Sequence, residues 1–222
     1  MISCYEELWP EHPFTFRIPF QDSGIHAVSE NREYVQTPGD IKGTILKLLE
    51  DIDDEEWVYW CIDDKYPIEL KLNRIKAIYQ SITHNPHDRI SSVLFCRARR
   101  MLDPNYLTTE QQTLGDELLL ERKAYHQIWI HQFIRVKVLR FIFTSFPDII
   151  ERAEVMDDMK DRLKKPVDHK LYVTASNCAV FGESSFKGVI TGNCLASLIS
   201  KGFSIPSWQP SQPSSTSIFG EL

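Results

Sequence analysis

The stretch that decides the fold is Trp57-Val58-Tyr59-Trp60-Cys61-Ile62-Asp63-Asp64, in which six bulky side chains lead into two adjacent carboxylates. An acidic segment precedes it, and Lys65-Tyr66-Pro67 follows. An apolar run of this length between polar segments predicts a strand buried on both faces. Such strands belong to open α/β sheets, where ligands bind just beyond the carboxyl ends of the strands. Asp63 and Asp64 are therefore candidate site residues.

Patterns on both sides of this strand predict the rest of an α/β sheet. Before it, Thr37-Pro38 has the N-cap and first-turn residues of a helix, and the apolar residues that follow repeat at helical spacing through Ile52. After it, Ile75, Ile78 and Ile82 mark a second helix, and residues 90–96 read as another strand. The alternation of strand and helix predicts a mostly parallel central sheet flanked by helices.

The second half of the chain predicts helices and short strands. We expect a helix from Thr108 through Leu120, a short strand at residues 128–130, and a long helix from Phe133 to Phe146. Two short strands, at 171–173 and 178–181, then lead into a Gly/Ser-rich turn. Residues 207–222 are rich in Ser, Pro and Gln, a composition typical of a flexible tail.

Composition excludes several classes of protein. A chain of 222 residues can bury about 70% of its unfolded surface in one core, and no apolar run approaches the roughly 18 residues of a membrane span. The formal net charge of -6 argues against broad nucleic-acid binding. Five cysteines without a Cys-x-x-Cys pair predict free thiols rather than a zinc site. The first residues lack the pattern of an export signal, so we expect a cytoplasmic protein.

The order of these motifs resembles bacterial glycosyltransferases with the GT-A, nucleotide-diphospho-sugar transferase fold. The resemblance is carried by YEELWPEHP at residues 5–13, WVYWCIDDKYP at 57–67, and Gln127-Ile128-Trp129 with the segment 171–206 in the rear half. It implies one domain over residues 1–206, with a donor-side sheet in 1–100 and an acceptor-side region in 101–206. The family usually opens with a strand ahead of the first helix, so we expect either an in-frame upstream extension or an incomplete nucleotide cradle.

The resemblance implies transfer of a sugar from a nucleotide-diphosphate donor to a glycan or lipid-linked acceptor. Asp63 and Asp64 would bind Mn²⁺ or Mg²⁺, although the family more often has a spacer between its two acids. Lys65 would contact a phosphate or pair with one of these acids. Arg97, which Arg99 and Arg100 follow closely, would bind the diphosphate, with a solvated basic face as the alternative.

Further residues are candidates for the acceptor side. Trp129, flanked by His126 and His131, would stack on a sugar or base, or else make ordinary interior contacts. An inverting transfer needs a carboxylate base. Glu183, in the Gly/Ser-rich turn, is the leading candidate, and Asp116 and Glu117 are alternatives; a surface role competes with catalysis for all three.

Three alternatives remain open from the sequence. Basic residues in the helix from Phe133 to Phe146 would allow peripheral contact with an anionic membrane, although core packing explains its apolar stripe. The whole chain could instead be a non-catalytic GT-A-like relative that binds a glycan or protein partner. A sugar nucleotidyltransferase is the third reading.

Overall fold

The structure is a computed structural model that describes residues 1–22, 30–84, 89–97, 104–148, 150, 153–186, 189–200, 202, 211–212 and 218–219. Within these residues the chain forms six α-helices: α1 (Ile2–Leu8), α2 (Ile41–Leu48), α3 (Leu72–His84), α4 (Val136–Thr144), α5 (Ala153–Lys160) and α6 (Gly192–Ser200). The same residues form fourteen strands: β1 (Phe16–Phe20), β2 (Arg32–Gln36), β3 (Trp57–Trp60), β4 (Lys65–Leu70), β5 (Ser92–Leu94), β6 (Leu107–Leu114), β7 (Glu117–Arg122), β8 (Gln132–Arg135), β9 (Leu171–Thr174), β10 (Ala179–Glu183), β11 (Ser185–Phe186), β12 (Val189–Thr191), β13 (Ser211–Gln212) and β14 (Ile218–Phe219).

The main sheet has six strands in the order β3-β8-β5-β9-β7-β6. The fold is therefore mixed α/β, as expected, but a mostly parallel sheet is not confirmed. Only β5 and β9 pair in parallel, and the other four neighbouring pairs are antiparallel. The reason is that β8 enters between β3 and β5 and runs against both, while a hairpin of β6 and β7 completes the opposite side.

Three smaller sheets surround the main one. β1 and β2 form a parallel pair, and β10 lies between β4 and β14 in an antiparallel sheet. β12 pairs with β11 and with β13. The strands β13 and β14 lie in the segment 207–222, and the flexibility expected of that segment stays a prediction.

The predicted helix from Thr108 to Leu120 is instead the hairpin of β6 and β7. Leu114 pairs with Glu117 across a two-residue turn, and Gly115 has a φ of 59°, a left-handed conformation that glycine adopts without strain. Leu118 is 44% exposed while Leu119 is fully buried. This alternation has the period of a strand, which the run of three leucines concealed.

Other boundaries also moved from their predicted places. Helix α2 begins at Ile41 because the Asp40 carboxylate, rather than Thr37, caps it by accepting a 2.7 Å hydrogen bond from the Gly43 amide. Helix α4 begins at Val136 because the residues before it form β8 rather than a helix, and residues 128–130 form no strand. β3 is an outer strand of its sheet and only Trp60 in it is buried, so the expectation of burial on both faces was wrong.

Both faces of the main sheet are covered. Ile75, Ile78 and Ile82 of α3 belong to one apolar cluster, and Leu139 of α4 belongs to another that also includes residues of α2. Phe133 and Ile134 are neighbours in β8 but belong to different clusters, as expected when side chains alternate across a strand.

Candidate functional site

The candidate site is built around the turn that connects β3 to β4, residues 61–64. β3 belongs to the six-stranded sheet and β4 to the sheet of β10, so the turn lies where two sheets meet. It forms part of the wall of a large opening of about 1490 Å³, the main cleft, whose other walls are β1, α2 and β3. The residues that line the cleft include the acids Asp63, Asp64, Asp157 and Asp158, the base Lys65 and the aromatic Trp129.

Hydrogen bonds to backbone carbonyls hold the turn in place. The Ile62 carbonyl accepts from the Lys65 amide at 3.2 Å and contacts His131 Nε2 at 2.9 Å. The Asp64 carbonyl accepts from both the amide and the hydroxyl of Ser184, at 2.6 and 2.8 Å. Because Ser184 directly follows β10, the two acids are fixed relative to a strand more than a hundred residues away.

A buried chain of side chains supports the turn from behind. Tyr59 Oη lies 2.8 Å from Tyr5 Oη, which lies 2.5 Å from His131 Nδ1. Since a carbonyl can only accept, His131 Nε2 donates to Ile62, and Nδ1 therefore accepts from Tyr5. Burial lowers the pKa of His131 to about 3, so the ring is neutral at physiological pH.

Lys65 joins the two predicted halves of the site. Its Nζ lies 2.9 Å from Asp64 Oδ2 and 3.3 Å from Glu183 Oε1, and its side chain is 8% exposed. Lys65 and Glu183 are direct partners across β4 and β10. The sequence left two roles open for Lys65, contact with a phosphate and pairing with an acid. In the structure Lys65 pairs with acids.

The charges at this point suit a divalent cation. Asp63, Asp64 and Glu183 against the one ammonium of Lys65 leave an excess of two negative charges, and Asp64 Oδ1 is buried without a hydrogen-bond partner. Carboxylate oxygens are hard ligands of the kind that Mg²⁺ and Mn²⁺ prefer. Among the described residues no group of three His, Cys, Asp or Glu side chains could hold a metal. An ion held by Asp63 and Asp64 would have to take its remaining ligands from a substrate or water, and the metal site stays a prediction.

A second opening of about 230 Å³, the small cavity, adjoins the main cleft. The two share Lys65, Trp129 and Asp157 as lining residues. Glu183 lines the small cavity, together with Tyr106, His126, Gln127, Ile130, Lys160 and Asp161. The structure thus places Asp63, Asp64, Lys65, Trp129 and Glu183 in the linings of two neighbouring openings.

Other predicted residues lie elsewhere. Arg97 lines neither opening, and its amide donates to Asn177 Oδ1 at 2.8 Å. Arg99 and Arg100 lie outside the described residues. Asp116 is exposed on the hairpin turn, and Glu117 makes two contacts of 2.6 and 2.5 Å with Arg74. Arg97, Asp116 and Glu117 therefore line neither opening, and the roles expected for them stay predictions.

The basic residues proposed for membrane contact have partners of their own. Lys137 Nζ lies 2.7 Å from Glu55, Arg140 pairs with Asp54, and Arg135 lies 4.8 Å over the Trp57 ring. The acidic segment before β3 thus clamps the start of α4. None of the helices in the described part of the chain is long and apolar enough to cross a membrane.

Sequence reasoning missed two acids of the site. Asp157 and Asp158 on α5 line the main cleft, and Asp157 also lines the small cavity. They form a doublet like that of Asp63 and Asp64, which is the signal that the sequence offers. Acidic residues on a charged helix usually face solvent, so this doublet does not stand out in the sequence. Searches of protein-family models, curated proteins and solved structures gave no match to this chain.

Proposed function

We propose that this protein is a GT-A-like glycosyltransferase, which moves a sugar from a nucleotide-diphosphate donor to a glycan or lipid-linked acceptor. The observation that carries the proposal is the Asp63-Asp64 turn on the wall of the main cleft, with Asp64 Oδ1 buried and unpaired. A buried carboxylate oxygen without a partner costs free energy, which a bound cation would recover.

The electrostatics of the cleft make the donor's binding depend on a cation. A diphosphate is anionic, and Asp157 and Asp158 add to the negative charge near Asp63 and Asp64. Mn²⁺ or Mg²⁺, when bound, supplies the Lewis acid that neutralises the leaving diphosphate. Asp63 and Asp64 would hold it, and Lys65 keeps the Asp64 carboxylate in position through its 2.9 Å contact.

Glu183 is the residue that we assign to the acceptor. Its carboxylate is 26% exposed, lines the small cavity, and is held by Lys65 at 3.3 Å. From this position it can accept the proton of an acceptor hydroxyl as that oxygen attacks the sugar. Trp129, which lines both openings, would lie against the sugar.

Thermal unfolding with nucleotide-sugars, with and without Mn²⁺, tests the proposal. A donor at a hundred times its dissociation constant adds about 2.7 kcal/mol, which raises the Tm of a chain of this size by about 5–10 °C. We expect this shift only with Mn²⁺ present, and we expect Asp63→Asn and Asp64→Asn to abolish it. Asp116→Asn removes the same charge from the exposed hairpin turn and should leave the shift unchanged. The donor site is refuted if no nucleotide-sugar raises the Tm.

A non-catalytic binding protein is the second candidate. One observation favours it: Glu183 lines the small cavity but not the main cleft, and Lys65 already holds it. The same samples separate the candidates, because a transferase releases nucleoside diphosphate in the presence of acceptor whereas a binding protein does not. Release of pyrophosphate from a sugar phosphate and a nucleoside triphosphate would identify a nucleotidyltransferase instead.

A further inference from the structure

The small cavity combines aromatic and polar side chains, as binding sites for small molecules do. It has two aromatic side chains, Tyr106 and Trp129, and polar groups from several distant parts of the chain. Its volume of about 230 Å³ is below the roughly 300–1,000 Å³ typical of pockets for drug-sized ligands. A space of this size suits a single ring rather than a nucleotide.

The charges that line the cavity argue against an anionic ligand. Lys160 Nζ lies 2.8 Å from Asp157 and 2.9 Å from Asp161, and Lys65 is held by Asp64 and Glu183. Both lysines are therefore already neutralised by pairs of carboxylates. A phosphate or a sugar acid entering the cavity would meet more acidic than basic groups.

The cavity also presents groups that bind hydroxyls. The Asp161 Oδ1 atom lies 3.1 Å from His126 Nδ1. Glu183 and Gln127 line the same cavity. Carboxylates, imidazole and amide accept and donate hydrogen bonds to alcohols in several directions. Aromatic faces beside such groups provide apolar contact for the C–H bonds of a ring.

The loop that carries much of this lining is held rigidly. The fully buried Arg122 donates to the His126 carbonyl at 2.8 Å, and Gln132 Nε2 donates to the carbonyls of Gln127, Ile128 and Ile130 at 3.4, 3.3 and 3.1 Å. Burial lowers the pKa of Arg122 to about 9. Gln127 has a φ of 63°, which is uncommon for a residue other than glycine. Costly groups thus fix the shape of the cavity.

We propose that the small cavity is the acceptor subsite and binds one hydroxyl-bearing sugar ring that carries no acidic group. This inference rests on the proposed function, because the cavity meets the main cleft at Lys65, Trp129 and Asp157. At this junction the Lys65 ammonium lies between Asp64 and Glu183, so an acceptor hydroxyl that reaches it meets Lys65 as well as Glu183. Trp129 and Tyr106 contact the ring, and Asp161 and Glu183 accept its hydroxyl protons in hydrogen bonds.

Binding measured without any donor tests this site. Saturation-transfer difference NMR would use the full chain with the methyl glycosides of glucose, galactose and mannose, and with glucuronic acid and glucosamine as charged comparisons. We expect at least one neutral glycoside to bind more tightly than glucuronic acid, because the lining carries more acidic than basic groups. For the same reason glucosamine should bind at least as tightly as methyl glucoside. Asp161→Asn and Trp129→Leu should weaken that binding by about tenfold or more, as loss of a charged hydrogen bond or a stacking face predicts. Asp116→Asn, which removes the same charge from the exposed hairpin turn and lines neither opening, should leave it intact.

The outcomes separate this site from the proposed function. If a nucleotide-sugar with Mn²⁺ stabilises the protein but no neutral glycoside binds, the acceptor subsite is wrong and the donor site stands. The subsite is also wrong if neither Asp161→Asn nor Trp129→Leu weakens glycoside binding, or if glucuronic acid binds more tightly than the neutral glycosides. If both variants weaken the binding of a glycoside but no nucleotide-sugar stabilises the protein, the small cavity is a sugar site and the proposed transferase function is wrong. Circular dichroism checks that Trp129→Leu is folded, and Asp161→Asn changes only a partly exposed side chain.

Discussion

His131 is the residue that best shows how burial controls the site. It is fully buried, its ring donates to the Ile62 carbonyl, and it accepts from Tyr5. A protonated ring could not accept from Tyr5, and its charge would be desolvated near Lys65. The neutral ring is therefore part of what holds the Asp63-Asp64 turn.

This arrangement predicts a pH dependence of stability. The unfolded chain binds a proton at His131 near pH 6.5 and the folded chain only near pH 3, so stability is lost as pH falls through that window. Between about pH 6 and about pH 4.5 the free energy of unfolding should fall by about 2 kcal/mol more in the native protein than in His131→Phe. Urea unfolding at both pH values measures this difference. If the free energy of unfolding falls equally in the two proteins, the pKa of His131 does not differ between the folded and unfolded chain.

Single residues differ in how far the sequence predicts their roles. Asp63, Asp64 and Lys65 line the main cleft because they directly follow an apolar strand, the feature that makes them candidates in the sequence, and their roles stay predictions. Trp129 lines the cleft from a different part of the chain. Tyr5 and His131 are 126 residues apart and look like ordinary core aromatics in sequence. Their contact depends on tertiary packing, which local pattern does not contain.

Among the secondary-structure elements, α4 and the β6–β7 hairpin show where periodicity succeeds and fails. The apolar spacing of α4 identified a helix, although β8 takes its first predicted residues. The hairpin contains consecutive leucines, which fit the period of a helix as well as that of a strand. The left-handed Gly115 marks the turn between its two strands. β8 was not predictable as a central antiparallel strand, since its neighbours β3 and β5 come from remote parts of the chain.

Helix α4 should contribute strongly to stability through its buried face. Leu139 is fully buried in the cluster that α4 shares with α2, so Leu139→Ala removes packed volume and should cost about 2–5 kcal/mol. Thr144→Ala, at the exposed end of the same helix, should change stability by less than about 1 kcal/mol. Chemical unfolding of the two variants makes the comparison. Equal effects would mean that α4 is not packed as the structure has it.

At the scale of the whole molecule, the main cleft lies between two sheets that do not join. β1 pairs with β2 alone and β3 with β8 alone among the described strands, and residues of both β1 and β3 line the cleft. An outer strand has alternate amide and carbonyl groups that point away from its one neighbour. The cleft that we assign to the donor is thus bounded by two strand edges, a feature that no single segment of sequence reveals.

Hydrogen exchange of backbone amides tests these edges. β8 pairs on both sides, so its amides from Phe133 to Arg135 should exchange only in rare openings, close to the global unfolding free energy. Alternate amides of β3, beside which the described residues place no strand on the cleft side, should exchange orders of magnitude faster. Mass spectrometry or NMR of the full chain gives both rates. If every amide of β3 were as protected as those of β8, another segment would cover that edge, and the main cleft would be too narrow for a nucleotide-sugar. Addition of a nucleotide-sugar with Mn²⁺ should slow exchange in the turn at residues 61–64 while leaving β8 unchanged.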